Sequence, residues 1–195
     1  MRLFVALNLP AELREALQAA TATLREAAPR EVTWARAEAL HLTLKFLGEA
    51  DAGRVPEIAA AIGEVAARHQ MASLRVGGVG AFPGLARPRV LWLGVEPTPR
   101  LELLQHDVEV ACARLGFEVE GRPFRPHLTL GRLRAAAAPE AAARLAHAAA
   151  ACVVEGETLV PAVDLMESTL MQGGPRHVVR ASLPLREERD VRVHA

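Results

Sequence analysis

The chain has 195 residues, of which 51% are hydrophobic, so it can form one domain or two small lobes around a real core. Its 23 basic residues balance 23 acidic ones, which excludes a strong net field toward a polyanion and requires any nucleic-acid contact to be local. The apolar opening MRLFVALNLP is too short for a signal peptide, and no later run approaches a membrane span. We therefore expect a cytoplasmic protein without membrane contact. Cys112 and Cys152 lack CxxC spacing and indicate buried free thiols.

The first half of the chain predicts the order β-α-β-β-α. RLFVALNLP alternates as a strand that ends at Pro10, and leucines within 11–28 recur at helical spacing. Two strand-like segments follow, EVTWARA and ALHLTLKFLG, and residues 52–70 then carry one apolar helical stripe. The glycine-rich segment 73–89 lacks the GK[ST] ending of a phosphate loop, and we interpret it as a flexible hairpin or strand crossing.

The second half repeats this order. PRVLWLGVEP is typical of a strand, residues 99–116 of a helix, and FEVEGRPF (117–124) and RPHLTLGRL (125–133) of two more strands. PEAAARLAHAAAA closes this half as a helix. Residues 158–185 then predict two strands joined by the turn QGGP at 172–175, a pair that often returns to the sheet of a first lobe.

The matching spacing indicates an internal duplication. Leu3 lies 38 residues before His41, and Arg89 lies 38 residues before His127, which gives a repeat of about 86 residues. We therefore predict an α+β fold with two pseudo-twofold-related α/β lobes, approximately 1–86 and 87–195, whose antiparallel sheets face a central cleft. The whole chain would form a single bilobal domain.

The tetrapeptide HLTL occurs in both halves, at 41–44 and 127–130. Residues i and i+2 of a strand point to the same face, so His41 pairs with Thr43 and His127 pairs with Thr129, while the leucines face the core. If a pseudo-twofold axis relates the lobes, both polar faces meet in one groove. The pattern therefore predicts a site with two imidazoles and two hydroxyls.

These four side chains have the composition needed to cleave a P–O bond. One neutral imidazole accepts a proton from water, one imidazolium donates a proton to the leaving oxygen, and threonine hydroxyls bind the nonbridging oxygens. A zinc site would need three or four close ligands, and the stretch between Arg122 and Arg134 contains no acid or thiol. We predict no metal and no cofactor. The other histidines show no such pairing and are expected to be surface or helix residues without a role: His69, His106, His147, His177 and His194.

LHLTLKFLGE and RPFRPHLTLGR resemble the two signature segments of the two-histidine phosphoesterases, specifically the bacterial and archaeal 2′-5′ RNA ligase branch, also described as RNA 2′,3′-cyclic phosphodiesterases. RLFVALNLP, VTW and VLWLGV resemble further strands of this family, so the resemblance spans the chain. It implies a metal-independent hydrolase that opens a 2′,3′-cyclic phosphate at an RNA terminus to a 2′-phosphomonoester. The related ATP-independent ligation uses a 5′-hydroxyl in place of water.

The resemblance also implies roles for individual residues. His41 would be the proton donor to the leaving 3′-oxygen and His127 the proton acceptor from water, with Thr43 and Thr129 on the phosphate. The residues alone leave the two histidines interchangeable. No obligate protein partner is evident.

Five residues after each histidine the copies differ, with Phe46 in one and Arg132 in the other. The resemblance implies that Phe46 stacks on the base or ribose and that Arg132 binds phosphate. Strand alternation instead places both on the leucine face unless the strand bulges, which leaves a core phenylalanine and a solvated arginine as alternatives. Alternation also groups Lys45 with His41, so Lys45 is either a phosphate contact or an exposed lysine at a strand end.

Arginines surround the second motif and form either a patch that steers an RNA end or a solvated run: Arg122, Arg125, Arg132 and Arg134. Two further functions stay open at this point. One is a phosphoesterase of the same superfamily that acts on a small cyclic phosphate. The other is a non-catalytic RNA-end-binding protein, against which the intact histidines and threonines argue.

Overall fold

The computed structural model describes residues 1–171 and 174–187, and within them nine strands form one sheet. The strands are β1 (Arg2–Asn8), β2 (Val32–Trp34), β3 (His41–Glu49), β4 (Ala72–Phe82), β5 (Val90–Val95), β6 (His127–Leu133), β7 (Glu155–Val160), β8 (Ala162–Met171) and β9 (Gly174–Pro184). The helices are α1 (Ala11–Ala20), α2 (Ala22–Ala27), α3 (Val55–Ala66), α4 (Pro99–Arg114) and α5 (Pro139–Ala151). Short 3-10 turns lie at Ala37–Ala39 and Ala52–Arg54. None of the helices in this part of the chain is long and apolar enough to cross a bilayer.

The two strands that begin with histidine lie side by side at the middle of the sheet. The strand order is β7-β4-β5-β6-β3-β1-β8-β9, with β2 paired to β6 outside this path, and all these pairs are antiparallel. β3 and β6 join through the single pair Leu42 and Leu128. This narrow junction divides the sheet into a first half-sheet (β3, β1, β8, β9) and a second half-sheet (β6, β5, β4, β7). The predicted α+β class with antiparallel sheets is confirmed.

Each half-sheet combines strands from both parts of the chain. β4 precedes residue 86 but lies in the second half-sheet, whereas the β8–β9 pair from the end of the chain lies beside β1. The predicted turn between β8 and β9 includes Gln172 and Gly173, which lie outside the described residues, as does His194.

The helices cover one face of the sheet and leave the other face to the two HxT pairs. α3 and α4 contact β3, β8 and β9, while α1 and α5 contact β7 and β4. The leucines that alternate with the motif residues lie under these helices and are almost fully buried: Leu42, Leu44, Leu128 and Leu130. Each such side chain contributes about 1.5–3 kcal/mol through burial. The leucine sides of both motifs therefore anchor the strands and fix which face carries the histidines.

One segment differs from the sequence-based prediction of strands. Residues 117–124 form no strand, because their backbone groups bond to side chains from elsewhere: the Glu118 carbonyl accepts a hydrogen bond from Lys45, and the Glu120 amide donates one to Glu109.

The glycine-rich segment supplies most of β4 and the connection to β5, so it forms one arm of an antiparallel hairpin, with an irregularity between Gly77 and Val79. Gly80 is needed in this strand because an added Cβ would lie 2.1 Å from the Trp92 ring.

Two further boundaries also differ. The helix expected over 11–28 is interrupted at Thr21, whose hydroxyl donates to the Leu17 carbonyl at 2.9 Å and competes with the regular helix pattern. The last part of the chain contains three strands instead of two, because Glu155–Val160 forms β7 on the free edge of β4.

Candidate active site

The antiparallel junction of β3 and β6 brings the two HxT pairs together. Because Leu42 faces Leu128, the antiparallel direction places His41 beside Thr129 and Thr43 beside His127. All four motif side chains are half-buried on the face opposite the leucines. Burial is the main cause that lowers the pKa of His41, and the charge of His127 adds a smaller effect in the same direction, as expected for two imidazoles that share one cleft.

A bulge at the same place in each strand changes the direction of the next side chains. Ala6 pairs with Thr43 and Val5 pairs with Lys45, so β1 skips Leu44. In the second half-sheet, β5 skips Leu130 in the same way. A skipped residue reverses the alternation from that point onward. Positions five residues after each histidine therefore return to the histidine face.

Phe46 is exposed on the cleft side as a result. Its side chain is 64% exposed, and its ring centroid lies 6.2 Å from that of Phe4, which in turn lies 4.9 Å from His41. The core alternative for Phe46 is wrong. Arg132 is exposed too, and its charge lowers the pKa of His127, so its guanidinium lies near the second imidazole.

Lys45 is buried instead of exposed, and the interpretation of it as a phosphate contact is wrong. The bulge at Leu44 turns its side chain toward the helices, where Nζ lies 2.5 Å from Oε1 of Glu109 on α4. It also donates to the Glu118 carbonyl. Lys45 is 5% exposed and thus ties β3 to α4 and to the segment that follows.

His127 has a defined ring orientation. Its Nδ1 lies 2.6 Å from the Arg125 carbonyl oxygen, which can only accept, so Nδ1 carries the proton and Nε2 is the nitrogen left for chemistry. Burial lowers the pKa of His127, the Arg125 carbonyl raises it, and the Arg132 charge lowers it further. In the free protein this imidazole is a neutral acceptor at neutral pH.

His41 is the more strongly perturbed histidine. Burial, and then the charge of His177, lower its pKa to about 3, although the Ala39 carbonyl acts in the opposite direction. Nδ1 of His41 is buried and makes no hydrogen bond of regular geometry within the described residues. Nε2 is therefore again the nitrogen available to a ligand.

His177 was expected to have no role, and the structure places it in the cleft. It lies on β9, with its ring centroid 5.0 Å from that of His41 and 5.1 Å from that of Phe4. Burial lowers the pKa of His177 as well. The register along β8 and β9 determines this position, and no local motif around residue 177 indicates it.

A hydrogen-bonded polar pair lies beside His41 in the first half-sheet. Asn8, which pairs with His41 across β1 and β3, donates from Nδ2 to Oδ2 of Asp164 at 2.7 Å. Asp164 is 7% exposed. Sequence patterns did not indicate these two residues, because neither belongs to a repeated motif and their contact depends on the pairing of β1 with β8.

Aromatic rings also surround His127 in the second half-sheet. The ring centroid of Phe82 lies 5.0 Å from that of His127, and the centroid of Trp92 lies 6.3 Å away. Both histidines thus sit among aromatic rings on opposite sides of the junction. The two sides differ at the exposed position, where one has Phe46 and the other Arg132.

The four arginines around the second motif differ in their contacts. Arg122 forms an ion pair with Glu120 at 2.9 Å, and Arg134 donates to the Thr33 hydroxyl at 3.2 Å. Arg125 and Arg132 have no ion-pair partner within the described residues, which leaves their charges free beside the second motif. In the same part of the chain, no three His, Cys, Asp or Glu side chains cluster closely enough to hold a metal ion.

One HxT pair from each half of an antiparallel sheet, facing its counterpart across the central junction, defines the class of two-histidine phosphoesterases. The chain belongs to the 2′-5′ RNA ligase superfamily, whose family model matches residues 9–167.

Curated relatives carry the name RNA 2′,3′-cyclic phosphodiesterase. The protein of Geobacillus stearothermophilus is 34% identical over 93% of this chain, which spans 56% of that relative. The protein of Methanothermobacter thermautotrophicus is 31% identical over 90% of this chain and 94% of its own length. The fold matches a crystal structure of a Thermus thermophilus protein with a TM-score of 0.80 and 29% identity, covering 96% of this chain and 100% of that one. Escherichia coli LigT complexed with 3′-AMP matches with a TM-score of 0.72 and 28% identity, covering 94% and 97%.

Proposed function

We propose that this protein is an RNA 2′,3′-cyclic phosphodiesterase that hydrolyses a terminal cyclic phosphate to a 2′-phosphomonoester and can also join RNA ends through a 2′-5′ linkage. The observation that carries the proposal is the junction of β3 and β6, where two HxT pairs face each other. The family membership and the names of the curated relatives support the same reaction. Such RNA-end chemistry fits the cytoplasmic location that the sequence predicts.

The proposed reaction moves one proton at each imidazole. Nε2 of His127 accepts a proton from water as the water oxygen attacks phosphorus, and the P–O3′ bond breaks. Protonated His41 donates to the departing 3′-oxygen, which leaves the phosphate on the 2′-oxygen. His127 is suited to the base role because the Arg125 carbonyl holds its proton on Nδ1. Thr43 and Thr129 donate hydrogen bonds to the nonbridging oxygens in this proposal, since both lie on the same face as the histidines.

The protonated state of His41 depends on the substrate in this proposal. Burial makes the neutral form of His41 dominant in the free protein. A phosphodiester in the cleft adds a negative charge, which favours the imidazolium form. Substrate binding therefore favours protonation of His41 before His41 donates its proton to the leaving 3′-oxygen.

Phe46 and Arg132 give the proposed substrate its two flanking contacts. The exposed ring of Phe46 offers a stacking surface for a base or ribose on the side of His41. The guanidinium of Arg132 lies near His127 and can bind a phosphate oxygen. These contacts favour an RNA terminus with little sequence readout. No obligate protein partner is needed for this reaction.

The decisive experiment compares matched 2′,3′-cyclic phosphates in the presence of EDTA. We expect an oligoribonucleotide with a cyclic end to be hydrolysed to the 2′-phosphomonoester, as read by ³¹P NMR, with a higher kcat/KM than the mononucleotide. His106→Ala is the matched control, because His106 is exposed on α4. Equal kcat/KM for the mononucleotide would favour a small cyclic phosphate as substrate. Binding without turnover would instead identify a non-catalytic RNA-end-binding protein, and activity that EDTA abolishes and zinc restores would overturn the two-histidine reaction.

A further inference from the structure

Three rings in the first half-sheet form a nearly equilateral cluster on the cleft side. The ring centroids of Phe4 and His41 are 4.9 Å apart, those of His41 and His177 are 5.0 Å apart, and those of Phe4 and His177 are 5.1 Å apart. We call this set the three-ring cluster. His177 meets His41 edge-on, with 78° between the ring planes. Each ring thus limits the rotation of the other two.

The two motif histidines differ in what orients them. Nδ1 of His127 is held by a carbonyl two residues earlier at 2.6 Å. Ala39 provides the equivalent carbonyl for His41, but the buried Nδ1 of His41 makes no regular hydrogen bond within the described residues. Packing against Phe4 and His177 is therefore the main constraint on the plane of the His41 ring.

We propose that His177 is a positioning residue for His41 and holds the imidazole at the angle from which it donates its proton. The proposal rests on the proposed function for the identity of the reaction, whereas the orientation of His41 is a property of the free protein. His177 comes from β9, which contacts the 3-10 turn that precedes His41. The β8–β9 pair would thereby take part in the active site in addition to extending the first half-sheet.

His177 also influences how easily His41 takes up a proton. Burial lowers the pKa of His41 most, the charge of His177 lowers it next, and the charge of His127 on β6 makes a smaller contribution in the same direction. Two other charged groups lie on neighbouring strands. Arg2 on β1 and His177 on β9 both pair with Ser168 of β8, which lies between them, and Asp164 also lies on β8. Glu38 lies in the adjacent 3-10 turn and is exposed.

Two substitutions separate ring packing from ring charge. His177→Phe keeps an aromatic ring beside His41 and removes both nitrogens, whereas His177→Ala removes the ring. We expect His177→Ala to lower kcat on the order of tenfold with KM changed less than about twofold, and we expect His177→Phe to recover most of that loss. Both variants should raise the pKa of His41 in an NMR titration and leave that of His127 unchanged. His106→Ala should match the wild-type protein in every measurement.

Other outcomes would overturn the proposal. Wild-type kcat and an unchanged His41 titration in His177→Ala would show that the ring contact does not position His41. Equal losses in both variants, seen mainly as a raised KM, would make His177 a direct substrate contact. Because the NMR titration of His41 needs no substrate, its result stays interpretable even if the cyclic phosphate is not hydrolysed, which separates a failure of this proposal from a failure of the proposed function.

Discussion

Leu44 and Leu130 occupy equivalent places in the two histidine strands, and each is the residue that the neighbouring strand skips. Both side chains are nevertheless buried, at 3% and 0% exposure. The bulge thus leaves the leucine in the core while it reverses the direction of the residues that follow. The same type of bulge in both strands therefore places Phe46 and Arg132 on the cleft face.

Phe46→Ala should weaken substrate binding without unfolding the protein. The side chain is 64% exposed, so its removal takes little apolar area out of the core. Loss of one stacked base is worth about 1–3 kcal/mol, which corresponds to roughly a five- to 150-fold higher KM for a cyclic-phosphate oligonucleotide. The matched control is Leu103→Ala, because Leu103 is 55% exposed on α4. Steady-state kinetics with an unchanged KM for Phe46→Ala would contradict a stacking role.

Lys45→Met should destabilise the protein by about 3–5 kcal/mol, because it leaves the carboxylate of Glu109 buried without its partner. Urea unfolding measures this loss. The double variant Lys45→Met/Glu109→Leu should recover part of the stability, since no uncompensated charge remains. Arg75→Met is the control, because the Arg75–Glu157 pair is exposed on both sides and surface pairs contribute about 0–1 kcal/mol. A Lys45→Met loss as small as that of Arg75→Met would show that the Lys45–Glu109 pair does not stabilise the fold.

Periodicity predicted most of the elements and both HxT faces, because those features depend on nearby residues, but it missed β7 and wrongly gave a strand over 117–124. The leucines of β3 and β6 alternate with the motif residues, so their burial follows from the sequence alone. The bulge at Leu44 could not be predicted from the sequence, because its position depends on how β1 pairs with β3 and no glycine precedes Phe46. The position of His177 depends in the same way on strand order, because β9 reaches His41 only after β8 has paired with β1.

His41→Ala and His127→Ala should each lower kcat by roughly 10²- to 10⁴-fold, the usual contribution of one general acid or base. Because both residues act in one transfer of protons, the double variant should lose less than the product of the two single losses. Circular dichroism checks that each variant is folded, and His147→Ala on α5 serves as the control since that histidine is exposed. Full activity in either single variant would assign that histidine a structural role only.

The free energy of unfolding should decline as pH falls below about 6.5, the ordinary pKa of a histidine. The unfolded chain takes up protons there, whereas burial keeps His41 neutral until its folded pKa of about 3 and lowers the pKa values of His127 and His177 as well. Each proton bound only by the unfolded state contributes a slope of about 1.4 kcal/mol per pH unit. His41→Gln should reduce the slope measured by urea unfolding between pH 7 and 4, and His106→Gln should not. An identical slope in His41→Gln would show that His41 is protonated equally in both states.

An anion in the cleft should raise the pKa of His41. In the free protein, burial and the charge of His177 lower that pKa to about 3, but a bound anion favours the imidazolium form. Sulfate is a suitable probe, since it resembles phosphate and does not titrate near neutrality. NMR titrations of the imidazole signals with and without sulfate should show that sulfate raises the pKa of His41. The double variant Thr43→Val/Thr129→Val should bind sulfate more weakly and therefore show a smaller increase in that pKa.

The same shift should separate the two kinetic pH profiles. An unperturbed imidazole pair would give limbs that bracket roughly pH 5 to 8. Because kcat/KM reports the free enzyme, in which the pKa values of His41 and His127 are both lowered, its maximum should lie on the acid side of that window. The profile of kcat reports the enzyme–substrate complex, in which the substrate phosphate stabilises protonated His41, so its alkaline limb should lie at higher pH than the alkaline limb of kcat/KM. Coincident alkaline limbs in the two profiles would show that substrate binding does not load His41 with the proton that it gives to the 3′-oxygen.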